Sequence, residues 1–310
     1  MRDNRSFDSY GANILGVRQV VPRLLELFAR RGIEATWATV GLLLAKTRSD
    51  ILRWRPSLLP DYTNRRLCNY SWIPQVGDSE ESDHFHYGAS LIELIKRDPR
   101  QEIASHTFSH YYCLESGENR KAFTADLRAA TLVAREWGIS LKSIAFPRNQ
   151  IKEDYLEICQ GCDFTVFRGN LDVWTHRGTD VCGQTRMRRL TRLVDAYLPI
   201  LGGKTYLEPS RHISGLVNVP SSRFLRPYIP SLRVLDPLRL WRIATEMTIA
   251  ARRGHCYHLW WHPHNFGIHL EENLNFLSRV LDCFVRLRDR YRMRSSNMVN
   301  AAALGKGTSA

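Results

Sequence analysis

Two histidines, His106 and His110, stand four residues apart directly after residues 102–105, a stretch that predicts a strand. That spacing places both imidazoles on one side of a helical turn. Neutral imidazole binds borderline divalent metals such as zinc, and such a pair supplies two of the three protein ligands of an open catalytic site. The chain has 11 histidines, so the spacing alone also arises by chance and a third ligand must come from elsewhere.

Two further polar segments also follow predicted strands. Residues 147–150 (PRNQ) come after the strand predicted at 143–146, and residues 262–265 (HPHN) come after the one predicted at 256–261. Parallel α/β sheets and barrels build their sites at the carboxyl ends of their strands. Three chemically rich segments at three strand ends therefore indicate one functional face.

The rest of the chain alternates helical and strand-like patterns, which predicts parallel strands in an α/β protein. Helices are predicted over residues 14–28, 89–97, 121–137, 153–160, 237–253 and 272–291, and strands over 35–43, 102–105, 143–146, 164–167 and 256–261. Residues 51–87 and 168–236 interrupt the alternation and are predicted as long loops near the functional face. Residues 1–294 are expected to form one domain, followed by a disordered tail at 295–310.

The composition is that of a soluble globular protein, with 44% apolar and 24% charged residues in 310. No apolar run approaches the roughly 18 to 20 residues that span a bilayer, and no signal-peptide core follows Met1, so a cytoplasmic location is expected. Seven scattered cysteines indicate unpaired thiols. Cys159 and Cys162 form one CxxC, which is interpreted as packing because a lone pair supplies half of a tetrahedral zinc shell.

The formal net charge of +13 indicates an anionic partner. Nucleic acid, an anionic membrane surface and an acidic glycan are all compatible with this charge. The densest arginine clusters fall at residues 186–192 and 286–294 and are interpreted as a solvated loop and a solvated helix face. Helix-turn-helix, zinc-finger and RRM-type signatures are lacking, so no nucleic-acid partner is expected.

Two segments resemble a known family. Residues 32–41 (GIEATWATVG) are similar to the ATFF-type strand of polysaccharide deacetylases, and residues 102–110 (EIASHTFSH) look like that family's metal-binding H-[ST]-x-x-H motif. The resemblance covers roughly residues 10–170 and, more loosely, the strand before His262. It implies a distorted (β/α) barrel that removes N-acetyl groups from an amino-sugar glycan or glycan precursor in a metal-dependent hydrolysis.

The resemblance also implies roles for individual residues. A divalent metal, most readily zinc, would be held by His106, His110 and one aspartate. Arg148 would stand near the motif whose arginine orients the catalytic base, although here it follows the proline of that motif. His262 would protonate the leaving amine, with His264 as the alternative. The expected substrate contacts are Trp260, Asn149 and Pro147, with Trp261 beside Trp260 in the wall of the pocket.

The chain departs from the family at its beginning. Polysaccharide deacetylases open with a strand bearing two acidic residues, which provide the general base and the third metal ligand. Here Asp3 and Asp8 are the only acids before the first predicted helix, and neither ends an apolar strand. We therefore expect the barrel to be incomplete at its first strand, with Met1 falling just after it.

Three functions stay open on the sequence. The first is the hydrolase, active or impaired by the missing acids. The second is a deacetylase-like glycan-binding domain without catalysis, and the third is a basic nucleic-acid-binding protein. The sequence does not indicate the sugar, the oligomeric state or the source of the third ligand.

Overall fold

Helices and short strands alternate along the computed structural model, which describes residues 7–170, 173, 178–180, 183–202 and 205–304. The helices there are α1 (Phe7–Arg31), α2 (Arg48–Trp54), α3 (Ala89–Lys96), α4 (Arg120–Glu136), α5 (Glu153–Gly161), α6 (Arg186–Asp195), α7 (Asp236–Arg253), α8 (Leu270–Tyr291) and α9 (Met298–Leu304). The strands are β1 (Ala35–Thr39), β2 (Gln101–Ser105), β3 (Ser143–Ile144), β4 (Val166–Phe167), β5 (Ser210–Arg211), β6 (Val217–Asn218), β7 (Arg223–Phe224) and β8 (Leu259–Trp260).

Six of these strands form one sheet in the order β1-β2-β3-β4-β6-β5, and all neighbours are parallel except β5 and β6. β7 and β8 form a second parallel pair. Backbone hydrogen bonds join the six-stranded sheet to the β7–β8 pair. The amide of Ser221 donates to the carbonyl oxygen of Gly169 at 2.9 Å, and the amide of Ser222 donates to the carbonyl oxygen of His258 at 2.8 Å. The predicted α/β class with a parallel sheet is confirmed.

The arrangement is open between β1 and β8. Within the described ranges no ladder joins these two strands, and a side chain of α1 fills the space instead. The ring of Phe28 lies 6.2 Å from that of Trp37, on β1, and 6.2 Å from that of Trp261, after β8. Phe28 is buried, which contributes roughly 1.5 to 3 kcal/mol. A closed barrel is not observed.

Helix α4 covers the strands that carry the site. It begins at Asn119, whose side-chain oxygen accepts from the amide of Ala122 at 2.8 Å, and it ends before Gly138, which has a left-handed φ of 65°. Its inner face buries Phe123, Leu127 and Val133. The packing of this face fixes α4 against the chain that follows β2.

The structure corrects the prediction that residues 168–236 form a long loop. The segment contains α6 and three short strands, and β6 lies inside the sheet beside β4. β6 has two residues, so it is too short to show the alternation that identifies a strand in sequence. The arginines at 186–192 accordingly lie on a helix, where the sequence predicted a solvated loop.

The structure also corrects the predicted disordered tail for residues 295–304. Helix α9 buries Met298 and Ala302 against Val166 and Val217, and the amide of Met298 donates to the hydroxyl of Thr36 at 2.8 Å. These contacts lie at the amino ends of β1, β4 and β6, opposite the histidines. Helix α9 is too short for its two buried residues to form a recognisable helical pattern in a polar stretch. The sequence therefore predicted a disordered tail here. Residues 305–310 lie outside the described part of the chain.

Candidate functional site

His106 and His110 lie together at the carboxyl end of β2, with ring centroids 4.8 Å apart and edge to face. The predicted proximity is present, but a loop rather than a helical turn produces it. Thr107 and His110 both have a left-handed φ of 63°. This conformation is costly for residues other than glycine and persists only where the surroundings enforce it.

Asp126 of α4 holds this loop in place. Its carboxylate, which is almost fully buried, accepts from the amide of Phe108 at 2.8 Å and from the amide of Ser109 at 3.2 Å. The hydroxyls of Ser109 and Tyr70 donate to the same group. The sequence analysis missed Asp126, since an acid 16 residues after His110 inside a helix carries no local signal. It positions the histidine loop.

His262 and His264 form a second pair after β8. Their rings are nearly parallel, at 9°, with centroids 4.9 Å apart. Trp260 meets the ring of His262 edge-on at 5.5 Å, and Phe224 of the neighbouring β7 lies 5.9 Å from it. The short helical turn that starts at Pro263 brings the second imidazole back over the first.

The two histidine pairs are electrostatically coupled. Burial lowers the pKa of His106 to about 4, with further lowering by the charges of Arg168 and His264. Burial lowers the pKa of His262 well below its usual value, and His264, His106 and Arg168 lower it further. The structure therefore brings the strand-end imidazoles of β2 and β8 together, and His106 and His262 are neutral at pH 7.

Arg168 lies between these groups and was missed by the sequence analysis. It follows β4 directly, stacks over the ring of Trp260 at 4.3 Å and donates to the side-chain oxygen of Asn149 at 2.6 Å. Burial lowers the pKa of its guanidinium to about 10, so it stays cationic at pH 7. A charged residue directly after the strand predicted at 164–167 was the available signal.

The segment after β3 has a special backbone. Arg148 and Asn149 have left-handed φ values of 53° and 57°. The guanidinium of Arg148 stacks over Tyr112 at 4.8 Å and pairs with Glu115 at 3.5 Å. Asn149 is connected to the site by its hydrogen bond with Arg168. Pro147 is buried in the turn. The roles predicted for these three residues stay predictions.

His258 is a further buried imidazole that the sequence analysis did not single out. Its Nδ1 lies 3.2 Å from the carbonyl oxygen of Pro220, which fixes the proton on that nitrogen. Burial, together with the charge of Arg168, lowers its pKa to about 4. It marks the inner wall of the site between β7 and β8.

The donor set does not complete the expected metal centre. The Nδ1 of His106 lies 2.6 Å from the carbonyl oxygen of Ala145, which orients its other nitrogen away from the backbone. His106 and His110 supply two imidazoles, but among the described residues no three His, Cys, Asp or Glu side chains are grouped to hold a metal ion. A closed or open zinc site needs at least three protein ligands.

No family model matches the chain, and no curated protein matches it. Among solved structures, it is similar to a protein assigned as a polysaccharide deacetylase from Mycobacterium smegmatis. The identity is 14% and the TM-score 0.50, over 91% of this chain and 80% of that one. It is also similar to a GH57-type branching enzyme from the hyperthermophilic archaeon Pyrococcus horikoshii, at 12% identity and a TM-score of 0.55, over 99% of this chain and 68% of that one. At these identities the likeness is one of fold.

Proposed function

We propose that this chain is a glycan-acting hydrolase whose sheet is an open form of a distorted (β/α) barrel. The observation that carries the proposal is the convergence of His106, paired with His110, on His262 and His264 at the carboxyl ends of the strands. Two proteins of similar fold are named for action on carbohydrates. Trp260 and Phe224, 4.7 Å apart, add the apolar surface on which sugar rings pack.

The specific reaction that we propose is removal of an N-acetyl group from an amino-sugar glycan or glycan precursor. Water adds to the acetamide carbonyl, the C–N bond breaks, and acetate and a free amine result. His262, which is neutral at pH 7, takes up the proton from water and returns it to the departing nitrogen. The Arg168–Asn149 pair would orient the polar groups of the substrate.

Whether the reaction needs a metal ion is to be tested by experiment. The described residues provide the His106–His110 pair and no third ligand beside it. We therefore derive no step from a metal, and zinc enters as a variable in the assay.

The test is acetate release from N-acetylated amino-sugar oligomers by the full chain, with and without added zinc, for the parent and for His106→Gln and His262→Asn variants. His262→Asn is expected to lower the rate at least about hundredfold, the scale of losing a general acid–base group. His106→Gln is expected to lower it as well, because His106 lies within electrostatic reach of His262. His255→Gln is the matched control, because His255 contacts Thr205 at the amino side of β8, away from the strand ends. Equal rates in all variants would refute the assignment.

A second candidate is a glycan-binding domain without catalysis. The observation that favours it is the incomplete ligand set in the described ranges. Calorimetry with the same oligomers separates the two candidates. Binding that His262→Asn leaves intact, without acetate release at any zinc concentration, would support the binding domain, whereas absence of both binding and turnover would remove both candidates.

A further inference from the structure

Exposed large apolar side chains are concentrated between residues 187 and 241 of the described chain. They include Met187, Leu190, Leu198, Ile200, Leu207, Ile213, Val234 and Trp241. Single exposed apolar residues are ordinary on protein surfaces, but a contiguous group marks an interaction surface. All of these residues except Trp241 lie within 168–236, which the sequence predicted as a long loop.

Three of these side chains, Met187, Leu190 and Leu198, follow one face of α6 and the turn after it, and Ile200 lies just beyond them. Met187 and Leu190 are 66% and 55% exposed, and Leu198 and Ile200 are 48% and 51% exposed. Positions 187, 190, 194 and 198 are spaced three and four apart, so they share one helix face. The amide of Leu198 donates to the carbonyl of Val194 at 2.8 Å, which continues the helical path to the end of the row.

Arginines flank this apolar row on the exposed side of the same helix. Arg186 lies one turn before Leu190, and Arg189 lies next to it around the helix; both are exposed. We call Arg186, Met187, Arg189, Leu190 and Leu198 the α6 face. An apolar row with arginines beside it is the pattern of helices that lie in the headgroup region of a bilayer.

The end of α6 is firmly held by the rest of the protein. Arg223 donates to the carbonyl oxygen of Asp195 at 3.1 Å and pairs with Glu246 of α7. Arg242 of α7 donates to the carbonyl oxygen of Gly202 at 3.0 Å. The α6 face is thus presented on a fixed support beside α7, whose own Trp241 is exposed.

We propose that the α6 face docks this protein onto an anionic lipid surface. The net charge of +13 suits several anionic partners, and the apolar row discriminates between them. Nucleic acid and acidic glycans are bound mainly through cations, hydrogen bonds and stacking rings, whereas a row of exposed Met and Leu side chains suits the acyl region of a lipid surface. None of the helices in the described part of the chain could cross a bilayer, so the contact is peripheral.

The same helix is linked to the candidate site. Arg188 donates to the hydroxyl of Thr179 at 3.2 Å, and Gln150 donates to the carbonyl oxygen of Thr179 at 3.0 Å. Gln150 directly follows Asn149, the partner of Arg168. Docking through the α6 face would therefore bring a bilayer close to the strand ends, although the docking itself does not depend on the proposed hydrolase activity.

The test is sedimentation of the full chain with vesicles of phosphatidylglycerol and phosphatidylcholine, compared with phosphatidylcholine alone. Arg186→Glu/Arg189→Glu and Met187→Ser/Leu190→Ser are each expected to weaken binding to the anionic vesicles at least about tenfold. Arg252→Glu/Arg253→Glu, at the end of α7, matches the first variant in net charge. Leu52→Ser/Leu132→Ser, on α2 and α4, matches the second, because both leucines are 53% exposed. Both controls should bind like the parent.

Three outcomes would overturn the proposal. Equal binding to neutral and anionic vesicles would remove the role of the arginines. Equal losses in Arg186→Glu/Arg189→Glu and its arginine control would show that net charge alone governs binding, and equal losses in the two serine variants would show that the apolar row has no special role. The parent protein could also fail to bind vesicles. Self-association that the Met187→Ser/Leu190→Ser variant loses would then assign the face to a second copy of the chain, and retention on DNA that this variant loses would assign it to nucleic acid.

Discussion

Replacing Asp126 tests how the histidine loop is held. In Asp126→Ala, the buried amides of Phe108 and Ser109 and the hydroxyl of Tyr70 lose their acceptor. Each buried donor left unsatisfied costs about 1 to 3 kcal/mol, so the three together give an expected loss of stability of about 3 to 9 kcal/mol. Asp126→Asn keeps one acceptor oxygen for the two amides and loses mainly the strengthening by charge, with an expected cost of about 1 to 2 kcal/mol.

The assay is urea unfolding followed by tryptophan fluorescence and circular dichroism, combined with imidazole resonances of His106 and His110 in the folded variants. Asp289→Ala is the control, because Asp289 is an exposed acid that pairs with its neighbour Arg288. It should change stability by less than about 0.5 kcal/mol. The reasoning would be refuted if Asp126→Ala cost no more than this control or left the two imidazole signals unmoved.

Two further predictions concern groups at opposite ends of the sheet. The folded pKa of His258, about 4, lies below its usual value, so the unfolded chain binds more protons and stability is lost as pH falls from about 6.5 towards 4. His258→Asn can still donate to Pro220 but no longer titrates. The difference in unfolding free energy between pH 7 and pH 5 should therefore be smaller by about 2 kcal/mol in this variant. An unchanged difference would contradict the lowered pKa of His258. Met298→Ala should cost about 2 to 5 kcal/mol in urea unfolding because it opens a cavity under α9. The exposed Leu304→Ala should cost less than about 0.5 kcal/mol, and equal costs would show that α9 does not pack.

The sequence predicts the main helices and the parallel strands well where their patterns are long. The predicted helix at 121–137 corresponds to α4 at Arg120–Glu136, and the predicted strand at 102–105 to β2 at Gln101–Ser105. These elements have one buried face and clear end signals such as Asn119 and Gly138. Periodicity identifies them because burial itself is periodic.

Short elements and long-range contacts escaped the sequence analysis. β6 and β7 have two residues each, and α9 has a single buried pair, Met298 and Ala302. Their placement depends on partners far away in the chain, which no local window contains. Asp126 was missed for the same reason, because its role depends on the packing of α4 against the histidine loop.

The sequence placed His106, His110, His262 and His264 at strand ends, and the structure brings His106 within electrostatic reach of His262 and His264. It did not include Arg168, whose charge acts on His106 and His262. In a site built from metal ligands and acids, imidazoles would be drawn towards their charged form or held on a metal.

Here burial and the guanidinium act in the same direction on the imidazoles. Both lower the pKa of His106 and of His262, so each enters any reaction as a neutral base. A residue in this state cannot begin as the acid that protonates a leaving amine. His262 can serve that role only after it has taken a proton from the attacking water, which makes the order of the two proton transfers a property of this pocket. Burial, with a smaller contribution from the charge of Arg168, therefore sets the protonation state in which His106 and His262 would act under the proposed function.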